Sequence, residues 1–396
     1  MHNYNNNYET GKVIAALDKS FTCSPAPDCY TDYILKGIEF QKAEVIFQPK
    51  KMSTDSNMGN IILVRLKRDD KQSVISAIEM LSKNPYVVFA EPCYYADMHV
   101  VPNDPYFNYL WWLKEIQAAR AWDFGAGSHD VVVGVIDSGI EYNHPDIKNN
   151  MWVSQNGREM YGWNFFNNNN NPADSSGHGT HVAGTIGAVG NNGIGIAGVC
   201  WNVQIASLRI GHTFFSLEAG IEAINFANTH NIPILNASWG GRYNSPILKY
   251  VIRQYDGLFV ASAGNNGDNN DYFPMYPASY DNDNIISVAA TNPDGNLANF
   301  SNYGVKTVDI AAPGTDIFSL SLNGGYSYQS GTSMSAPHVA GAAALLKAYK
   351  PNLTTSDIKR IILADAKKHP ALEGKILTGG ILDLKAMFDI ANRIAL

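Results

Sequence analysis

Three side chains that suit acyl transfer lie far apart in the sequence: Asp137, His178 and Ser333. A serine hydroxyl becomes a useful nucleophile only when a neighbouring base accepts its proton, and an imidazole is a common base. A carboxylate that holds the imidazole in one tautomer completes such a set. These residue types therefore predict acyl-transfer chemistry, provided that the fold brings the three side chains together.

Each of the three residues stands where an α/β fold places functional groups. Asp137 ends the apolar run VVVGVID, His178 lies between glycines in SSGHGTHVAGT, and Ser333 precedes a long alanine-rich pattern. Taken singly, each has an ordinary structural interpretation, as a turn or helix cap or a structural histidine. Their occurrence together, in the order acid, base and nucleophile, favours catalysis.

The segment after Ser333 has a further property that suits catalysis. Its pattern SMSAPHVAGAAALLKAY is apolar all round, which indicates a buried helix. The N-terminus of a helix presents free N–H groups and a partial positive charge, which stabilise a developing oxyanion. Pro337 is expected in the first turn of this helix, where its missing N–H costs little.

From about residue 110, apolar runs alternate with helical patterns, which predicts an α/β domain with a mostly parallel sheet covered by helices on both faces. Active sites in such sheets lie at the carboxyl ends of the strands. The expected strands cover residues 130–137, 203–210, 232–240, 257–264, 285–291 and 308–314, and the expected helices cover residues 179–190, 216–230 and the segment after 333.

The first hundred residues read as a separate, small α+β domain. Strands are predicted at residues 11–18, 43–48, 60–67 and 86–92, and a helix at residues 70–84. The proline-punctuated stretch that follows is the best candidate linker. We therefore divide the chain into a domain at 1–98, a linker at 99–109 and a larger domain at 110–396.

Composition narrows the classes of partner and compartment. The chain has 396 residues, a formal net charge of −7, 45% hydrophobic and 16% charged residues. Because no basic run occurs, nucleic acid is not expected as a partner, and no apolar run is long enough to span a membrane. The first residues have neither the basic nor the apolar region of a signal peptide, so none is expected there.

The four cysteines do not define a disulfide framework. Cys23 and Cys29 lie close together in CSPAPDC, so a local disulfide between them is one interpretation. Four cysteines allow three pairings, and the sequence does not choose among them. Ordinary reduced thiols at all four positions, which include Cys93 and Cys200, are equally consistent with the sequence.

Four long blocks resemble the signatures of the subtilisin-like serine proteases, the subtilases. They are VVVGVIDSGIEYNHPDI around Asp137, HGTHVAGTIGA around His178, GTSMSAPHVAGAAALL around Ser333, and ASAGNNG, which carries Asn265. The resemblance extends from about residue 103 to the C-terminus. It implies a three-layer subtilisin-like domain and a serine endopeptidase that hydrolyses peptide bonds through an acyl-enzyme.

The resemblance also implies roles for individual residues. Ser333 is the nucleophile, His178 the general base and acid, and Asp137 the residue that orients the imidazole, while Asn265 contributes to the oxyanion hole. Substrate-binding residues carried over from the family are Ser238, Trp239, Gly240, Ala263 and Gly264, and Met275 is expected near the floor of the pocket for the residue before the scissile bond.

Calcium is the one cofactor that the resemblance implies, and no organic cofactor is expected. The matching ligand positions are Asp104, Asp146 and Asn192, and oxygen ligands of this kind suit calcium. A capped loop without an ion is the alternative interpretation of these residues.

The N-terminal domain resembles the propeptide of subtilases, so the protein is expected to be a self-processing zymogen that acts on protein or peptide substrates and binds its own prodomain in cis. The tail at about residues 94–101 would pass through the active site and be cut. A permanent accessory domain is the alternative. Secretion is expected for such a zymogen, with a cytoplasmic location as the alternative.

Three other functions compete with this interpretation. The sequence HGTH has H-x-x-H rather than the H-x-x-x-H spacing of zinc proteases, and the motif G-x-G-x-x-G at residues 193–198 precedes a strand instead of following one. We therefore set aside a metalloprotease and a dinucleotide-binding oxidoreductase. A catalytically silent subtilase fold used for binding remains the alternative function.

Overall fold

The structure is a computed structural model that describes residues 8–21, 30, 32–50, 56–94, 100–154, 157 and 160–393. The chain forms two compact units, Met1–Met98 and His99–Leu396. In the described part of the chain, no helix is both long and apolar enough to cross a bilayer. Cys23 and Cys29 lie outside the described residues, while Cys93 and Cys200 are free thiols.

In the described part of the first unit, a four-stranded antiparallel sheet packs against the helix Lys71–Leu81. The strands pair in the order β2-β3-β1-β4, and Val13, Ile62 and Val64 point into the apolar core. The helix begins after Asp70, whose carboxylate accepts the Ser73 N–H at 2.7 Å as an N-cap. The elements are β1 (Tyr8–Asp18), β2 (Phe40–Phe47), β3 (Met58–Leu66), α1 (Lys71–Leu81) and β4 (Val87–Tyr94).

A nine-stranded sheet forms the centre of the second unit. The strands are β5 (Gly127–Asp137), β6 (Gly162–Asn164), β7 (Asn202–Arg209), β8 (Ile234–Ala237), β9 (Leu258–Ser262), β10 (Ile285–Thr291), β11 (Ile310–Pro313), β14 (Lys367–Lys368) and β15 (Gly380–Ile381). Their order across the sheet is β14-β15-β11-β10-β9-β8-β5-β7-β6, and only the β14–β15 pair is antiparallel.

The α-helices of this unit are α2 (Trp111–Glu115), α3 (Ala118–Trp122), α4 (His178–Gly187), α5 (Leu217–Thr229), α6 (Pro246–Arg253), α7 (Thr332–Tyr349), α8 (Thr355–Ala364) and α9 (Leu384–Arg393). Short 3₁₀ turns occupy Phe107–Tyr109, Lys148–Asn150 and Pro370–Leu372. A separate antiparallel hairpin joins β12 (Ile317–Ser321) to β13 (Gly325–Gln329).

Both faces of the sheet are buried, which accounts for its continuous apolar strands. Along β5, Val133 and Val135 belong to the apolar cluster that contains α4 and α7, whereas Val132 and Ile136 pack into the cluster that contains α5 and α6. Successive side chains of a strand point to opposite faces, so these two clusters lie on opposite sides of the sheet. The predicted three-layer, mostly parallel α/β architecture is confirmed.

The segment predicted as a linker is bound to the second unit over residues 100–109. The Tyr106 N–H donates to the Gly195 carbonyl at 2.8 Å, and the Asn103 N–H donates to the Asn191 side chain at 3.2 Å. Residues 95–99 lie outside the described residues, and with them most of the tail that is expected to be cut.

Candidate functional site

The Asp137 carboxylate and the His178 imidazole are in direct contact at the carboxyl edge of the sheet. Asp137 is the last residue of β5, and His178 is the first residue of α4. His178 Nδ1 lies 2.7 Å from Asp137 Oδ1, which also accepts the Ser138 N–H at 2.7 Å. Because Nδ1–H donates to the carboxylate, Nε2 is left as the basic nitrogen.

Burial and charge have opposite effects on the pKa of His178. The Asp137 side chain is fully buried, whereas 30% of the His178 side chain is exposed. Burial alone would lower the pKa of His178, but the charge and the hydrogen bond of Asp137 raise it above its usual value. The imidazole is therefore prepared to hold a proton, as a general base must.

Ser333 lies in the same cleft, near the start of α7. Its hydroxyl donates to the Ser238 carbonyl at 3.1 Å, and among the hydrogen bonds of the described residues none joins Ser333 to the His178 ring. The Ser238 hydroxyl donates in return to the Ser333 carbonyl at 2.8 Å. This reciprocal pair fixes the backbone of the serine and holds its hydroxyl against the end of β8.

Pro337 explains why the Ser333 carbonyl is available for that bond. The helix begins at Thr332, so Pro337 is its sixth residue and lies in the second turn, not in the first turn as expected. A proline has no N–H, and therefore the carbonyl four residues earlier, that of Ser333, has no helical donor. The Ser238 hydroxyl takes the place of the missing N–H.

Asn265 is fixed beside the N-terminus of α7. Its Oδ1 accepts both the Thr332 N–H at 2.8 Å and the Thr332 hydroxyl at 2.9 Å. With the carbonyl end occupied, the Nδ2 end of the amide is free to donate to another acceptor. The Ser333 N–H lies in the first turn, where the helix offers no acceptor. Two donors thus stand near the serine.

Comparisons with known proteins identify the family of the chain. A sequence profile of the Subtilase family matches residues 128–379. Thermophilic serine proteinase of Bacillus sp. (strain AK1) is 37% identical over 71% of this chain and 68% of its own length. Thermitase of Thermoactinomyces vulgaris is 38% identical over 62% of this chain and 85% of its own length.

The chain belongs to the subtilase family. It is a serine-type endopeptidase. Among solved structures, a protease from Pseudoalteromonas arctica PAMC 21717 matches with a TM-score of 0.66 at 29% identity, covering 74% of this chain and all of that one.

The cleft of this subtilase is open and has a volume of about 970 Å³. Four of the five residues expected to bind substrate line it: Ser238, Trp239, Gly240 and Gly264. Ala263 does not line the cleft, because it is fully buried in an apolar cluster that also contains Ala289 and Ala311.

Met275 lies between Gly240 and Gly264, two of the glycines that line this pocket. A Cβ on Gly240 would lie 3.3 Å from Met275 Cγ, and a Cβ on Gly264 would lie 3.2 Å from Met275 Cε. Gly264 also has a φ of +110°, a backbone conformation that favours glycine. Met275 therefore limits the depth of the pocket, in the position expected for its floor.

Trp239 narrows the next part of the cleft. A Cβ on Gly220, in α5, would lie 3.6 Å from the far edge of the Trp239 ring, an ordinary van der Waals distance, so the indole packs beside this part of the helix. Phe214 and Tyr243 line the rim and are 84% and 92% exposed. An apolar, aromatic rim of this kind suits apolar substrate side chains.

Asp104, Asp146 and Asn192 are brought together at a second place. Asp146 is fully buried and accepts from Asn192 Nδ2 at 2.8 Å and from the Ile196 N–H at 2.8 Å. Asp104 accepts the Asn191 N–H at 2.7 Å. Burial, with a smaller contribution from the Asp104 charge, raises the pKa of Asp146 to about 6.

Two other sequence motifs have structural roles. His181 is fully buried, and its Nε2 lies 2.9 Å from the Ile317 carbonyl, so the second histidine of H-x-x-H bridges α4 to β12. Residues 193–198 form the loop between α4 and β7, with no helix after the glycines.

Sequence reasoning missed several polar residues that surround the acid and the base: Ser138, Asp174 and Thr180. They are connected by hydrogen bonds to one another and to the backbone next to Asp137 and His178. The signal was present in the stretch PADSSGHGT, where a carboxylate precedes the histidine by four residues. Nothing in that spacing, however, showed which groups the carboxylate would meet.

The substitution Ser238→Ala tests the reciprocal pair. It removes the donor to the Ser333 carbonyl and the acceptor of Asn236 Nδ2, which donates to the Ser238 hydroxyl at 2.9 Å. Leaving buried polar groups unpaired is expected to lower the free energy of unfolding by about 1–3 kcal/mol. Urea denaturation followed by tryptophan fluorescence measures this.

The matched control is Ser330→Ala, which changes an exposed serine just before α7 and removes hydrogen bonds with Asp316 that are exposed to solvent. Surface changes of this kind are expected to stay within about 0.5 kcal/mol. Equal free energies of unfolding for the Ser238 and Ser330 variants would contradict a structural role for the pair.

Proposed function

We propose that this endopeptidase works through Asp137, His178 and Ser333, with a covalent acyl-enzyme on Ser333. The single observation that carries the proposal is the 2.7 Å contact of the acid and the base in the cleft that Ser333 lines. An oriented imidazole beside a hydroxyl at a helix N-terminus is the arrangement that acyl transfer requires.

In the proposed reaction, Ser333 Oγ attacks the carbonyl carbon of the scissile peptide bond and His178 Nε2 takes the hydroxyl proton. The carboxylate of Asp137 keeps the imidazole in its Nδ1–H tautomer and stabilises the imidazolium. His178 then gives the proton to the leaving amine, and a water molecule, deprotonated in the same way, releases the acyl group.

The oxygen of the tetrahedral intermediate would accept from Asn265 Nδ2 and the Ser333 N–H. The support for this assignment is that the Asn265 carbonyl end is already held by Thr332, so only the amide nitrogen is free to turn to the cleft. Donors that are fixed before the reaction stabilise the developing charge without reorganisation, and this is usually the largest catalytic contribution.

One movement is required before reaction. The Ser333 hydroxyl must give up its hydrogen bond to the Ser238 carbonyl and donate to His178 Nε2 instead, which rotation about the bonds of a small side chain allows. We expect substrate binding to favour this change, since catalytic hydrogen bonds often form fully only in the substrate complex.

The substrate would bind as an extended chain along the cleft, with the side chain before the scissile bond between Gly240 and Gly264. Met275 supports a preference for side chains of small to medium size there, because its thioether already fills the floor. Trp239 and the exposed rim residue Phe214 support apolar side chains further from the cut.

We further propose that calcium binds at Asp104 and Asp146. The residues fit the ion: the partners that the structure gives Asp146 are the neutral donors Asn192, Ile196 and Tyr326, while its charged neighbour Asp104 is also acidic. Among the described residues no group of three or more His, Cys, Asp or Glu side chains forms a metal centre. Calcium also takes amide and backbone oxygens, such as those of the loop that carries Asn192.

The N-terminal unit is proposed to be a prodomain that inhibits the enzyme and is cut by it. Its support is the small, separately folded α+β unit that precedes the protease domain. A zymogen that depends on calcium suits export to a calcium-rich compartment, so we propose that the protein is secreted.

The substitution Ser333→Ala tests the nucleophile and the zymogen together. Purified wild-type protein is expected to lose about the first hundred residues on incubation and to gain one fluorophosphonate adduct on Ser333. The Ser333→Ala variant is expected to keep its full mass and to remain unlabelled. Intact-mass spectrometry and peptide mapping measure both results.

Two outcomes would redirect the proposal. Labelled wild type that keeps its full length would leave the enzyme in place but make the N-terminal unit a permanent domain. A wild type that is neither cut nor labelled would favour a silent binding protein over the proposed triad.

Calcium is expected to raise the unfolding temperature of the Ser333→Ala variant after removal of ions by a chelator. At a calcium concentration one hundred times the dissociation constant, the free energy of unfolding should rise by about 2.7 kcal/mol. Asp146→Asn is expected to abolish the increase, whereas Asp283→Asn, which changes an exposed carboxylate, should keep it. An equal increase in both variants would exclude Asp146 as a ligand.

A further inference from the structure

Asp174 connects the two elements that carry the acid and the base. Its Oδ1 accepts the Ser138 hydroxyl at 2.9 Å, at the end of β5. Its Oδ2 accepts the Thr180 N–H at 3.0 Å and the Thr180 hydroxyl at 2.7 Å, in the first turn of α4. The Ser176 N–H donates to Oδ1 at 2.9 Å, and the Ser176 hydroxyl donates to the same oxygen at 3.4 Å. One carboxylate thus receives donors from a strand end, a loop and a helix start.

The groups held by Asp174 are the immediate neighbours of the proposed catalytic pair. Ser138 follows Asp137, to which its N–H donates, and the Ser138 hydroxyl also accepts the Gly179 N–H at 3.0 Å. Thr180 lies two residues after His178. A displacement of either partner of Asp174 would therefore move the acid relative to the base, and a misplacement of about 1 Å is enough to slow catalysis about a hundredfold.

Asp174 also adds negative charge near the imidazole. Burial alone would raise the pKa of Asp174, but hydrogen bonds from Thr180, Ser176 and Gly177 bring it below its usual value. The carboxyl group is therefore ionised at neutral pH. Burial lowers the pKa of His178, the charge and the hydrogen bond of Asp137 raise it, and the charge of Asp174 makes a further, smaller contribution in the same upward direction.

We propose that Asp174 is a positioning residue for the Asp137–His178 pair: it fixes Ser138 and Thr180 and supplies a second negative charge that favours the imidazolium formed during acylation. The inference rests on the proposed function, because it assigns a role relative to His178 as general base. It makes Asp174 part of a network that acts through the pair without touching the substrate.

Other charged and titratable groups near His178 come from each neighbouring element. Asp137 lies at the end of β5, His181 on α4 itself, and His212 lines the same cleft. Arg209, at the end of β7, donates to the Ala173 carbonyl and the Ser175 hydroxyl on the loop that carries Asp174. Because none of these groups is altered in the variants below, a change in titration reports on Asp174.

The test measures the rate of phosphonylation of Ser333 from pH 5 to pH 9 with a fluorophosphonate as the probe, and intact mass follows the adduct separately on the full-length and the cut form, so that variants are compared in the same form. Asp174→Asn is expected to slow the reaction at least about tenfold at pH 8. It should also move the acidic midpoint to lower pH, because removal of a nearby negative charge lowers the pKa of the imidazole. Asp294→Asn, an exposed carboxylate, should match the wild type in both respects.

A rate–pH curve of Asp174→Asn that superimposes on the wild-type curve would overturn the inference. Slower reaction with an unchanged midpoint would also overturn the part that assigns a charge effect. If wild-type Ser333 itself fails to react, or if Ser333→Ala is labelled equally, the proposed function fails instead, so the two failures are distinguishable.

A second variant decides the matter if Asp174→Asn does not fold, as judged by circular dichroism. Ser138→Ala keeps the charge of Asp174 but removes its tie to β5. It is expected to slow phosphonylation while leaving the acidic midpoint in place. A wild-type rate in Ser138→Ala would show that the tie has no positioning role.

Discussion

A single hydrogen bond between a buried carboxylate and an imidazole, that of Asp137 with His178, is the contact on which the rest of this site depends. A buried carboxylate is costly unless hydrogen bonds satisfy it, and here the imidazole and the Ser138 N–H share one of its oxygens. The parallel sheet makes this possible because β5 and α4 both present their ends at the same edge. Folding of the sheet and the helix therefore brings the carboxylate and the imidazole into contact.

The second constraint is the buried helix α7. Its residues Met334–Leu346 are all buried, and small alanines let it lie close to α4 and the sheet. This packing holds the start of the helix firmly, so that the Ser333 N–H and Asn265 are fixed before any substrate arrives. Pro337 removes one helical hydrogen bond, and Ser238 replaces it from the end of β8. The serine is therefore held by the sheet as well as by its own helix.

Much of the architecture followed from the sequence, because continuous apolar strands alternating with helices leave few other arrangements. The four strands of the first unit, six strands of the nine-stranded sheet and the helices that begin at His178 and Thr332 were predicted to within a few residues, whereas β6, β14 and β15 were not predicted. The hairpin β12–β13 was missed, although Asn323 and Gly324, both with positive φ, carry a hairpin-turn signal. The amphipathic helices α6, α8 and α9 were missed as well.

The residue types of the proposed site follow from the sequence motifs, but their contacts do not. The family motifs placed Asp137, His178, Ser333 and Asn265, but the bond of the Ser333 hydroxyl to Ser238 depends on a rotamer, which no local pattern specifies. Ala263 was expected in the cleft, yet alternation along the backbone turns it into the core. Asp174 forms hydrogen bonds with Thr180 and Ser138, which are 6 and 36 positions away in the sequence, and only the fold reveals these contacts.

The most direct test of the account is a crystal structure of the protein after reaction with a phosphonate that mimics the tetrahedral intermediate. The account requires phosphorus bonded to Ser333 Oγ and one phosphonate oxygen about 2.7–3.1 Å from both Asn265 Nδ2 and the Ser333 N–H. His178 must remain hydrogen-bonded to Asp137. An adduct on another residue, or an oxygen that points away from both donors, would contradict the account.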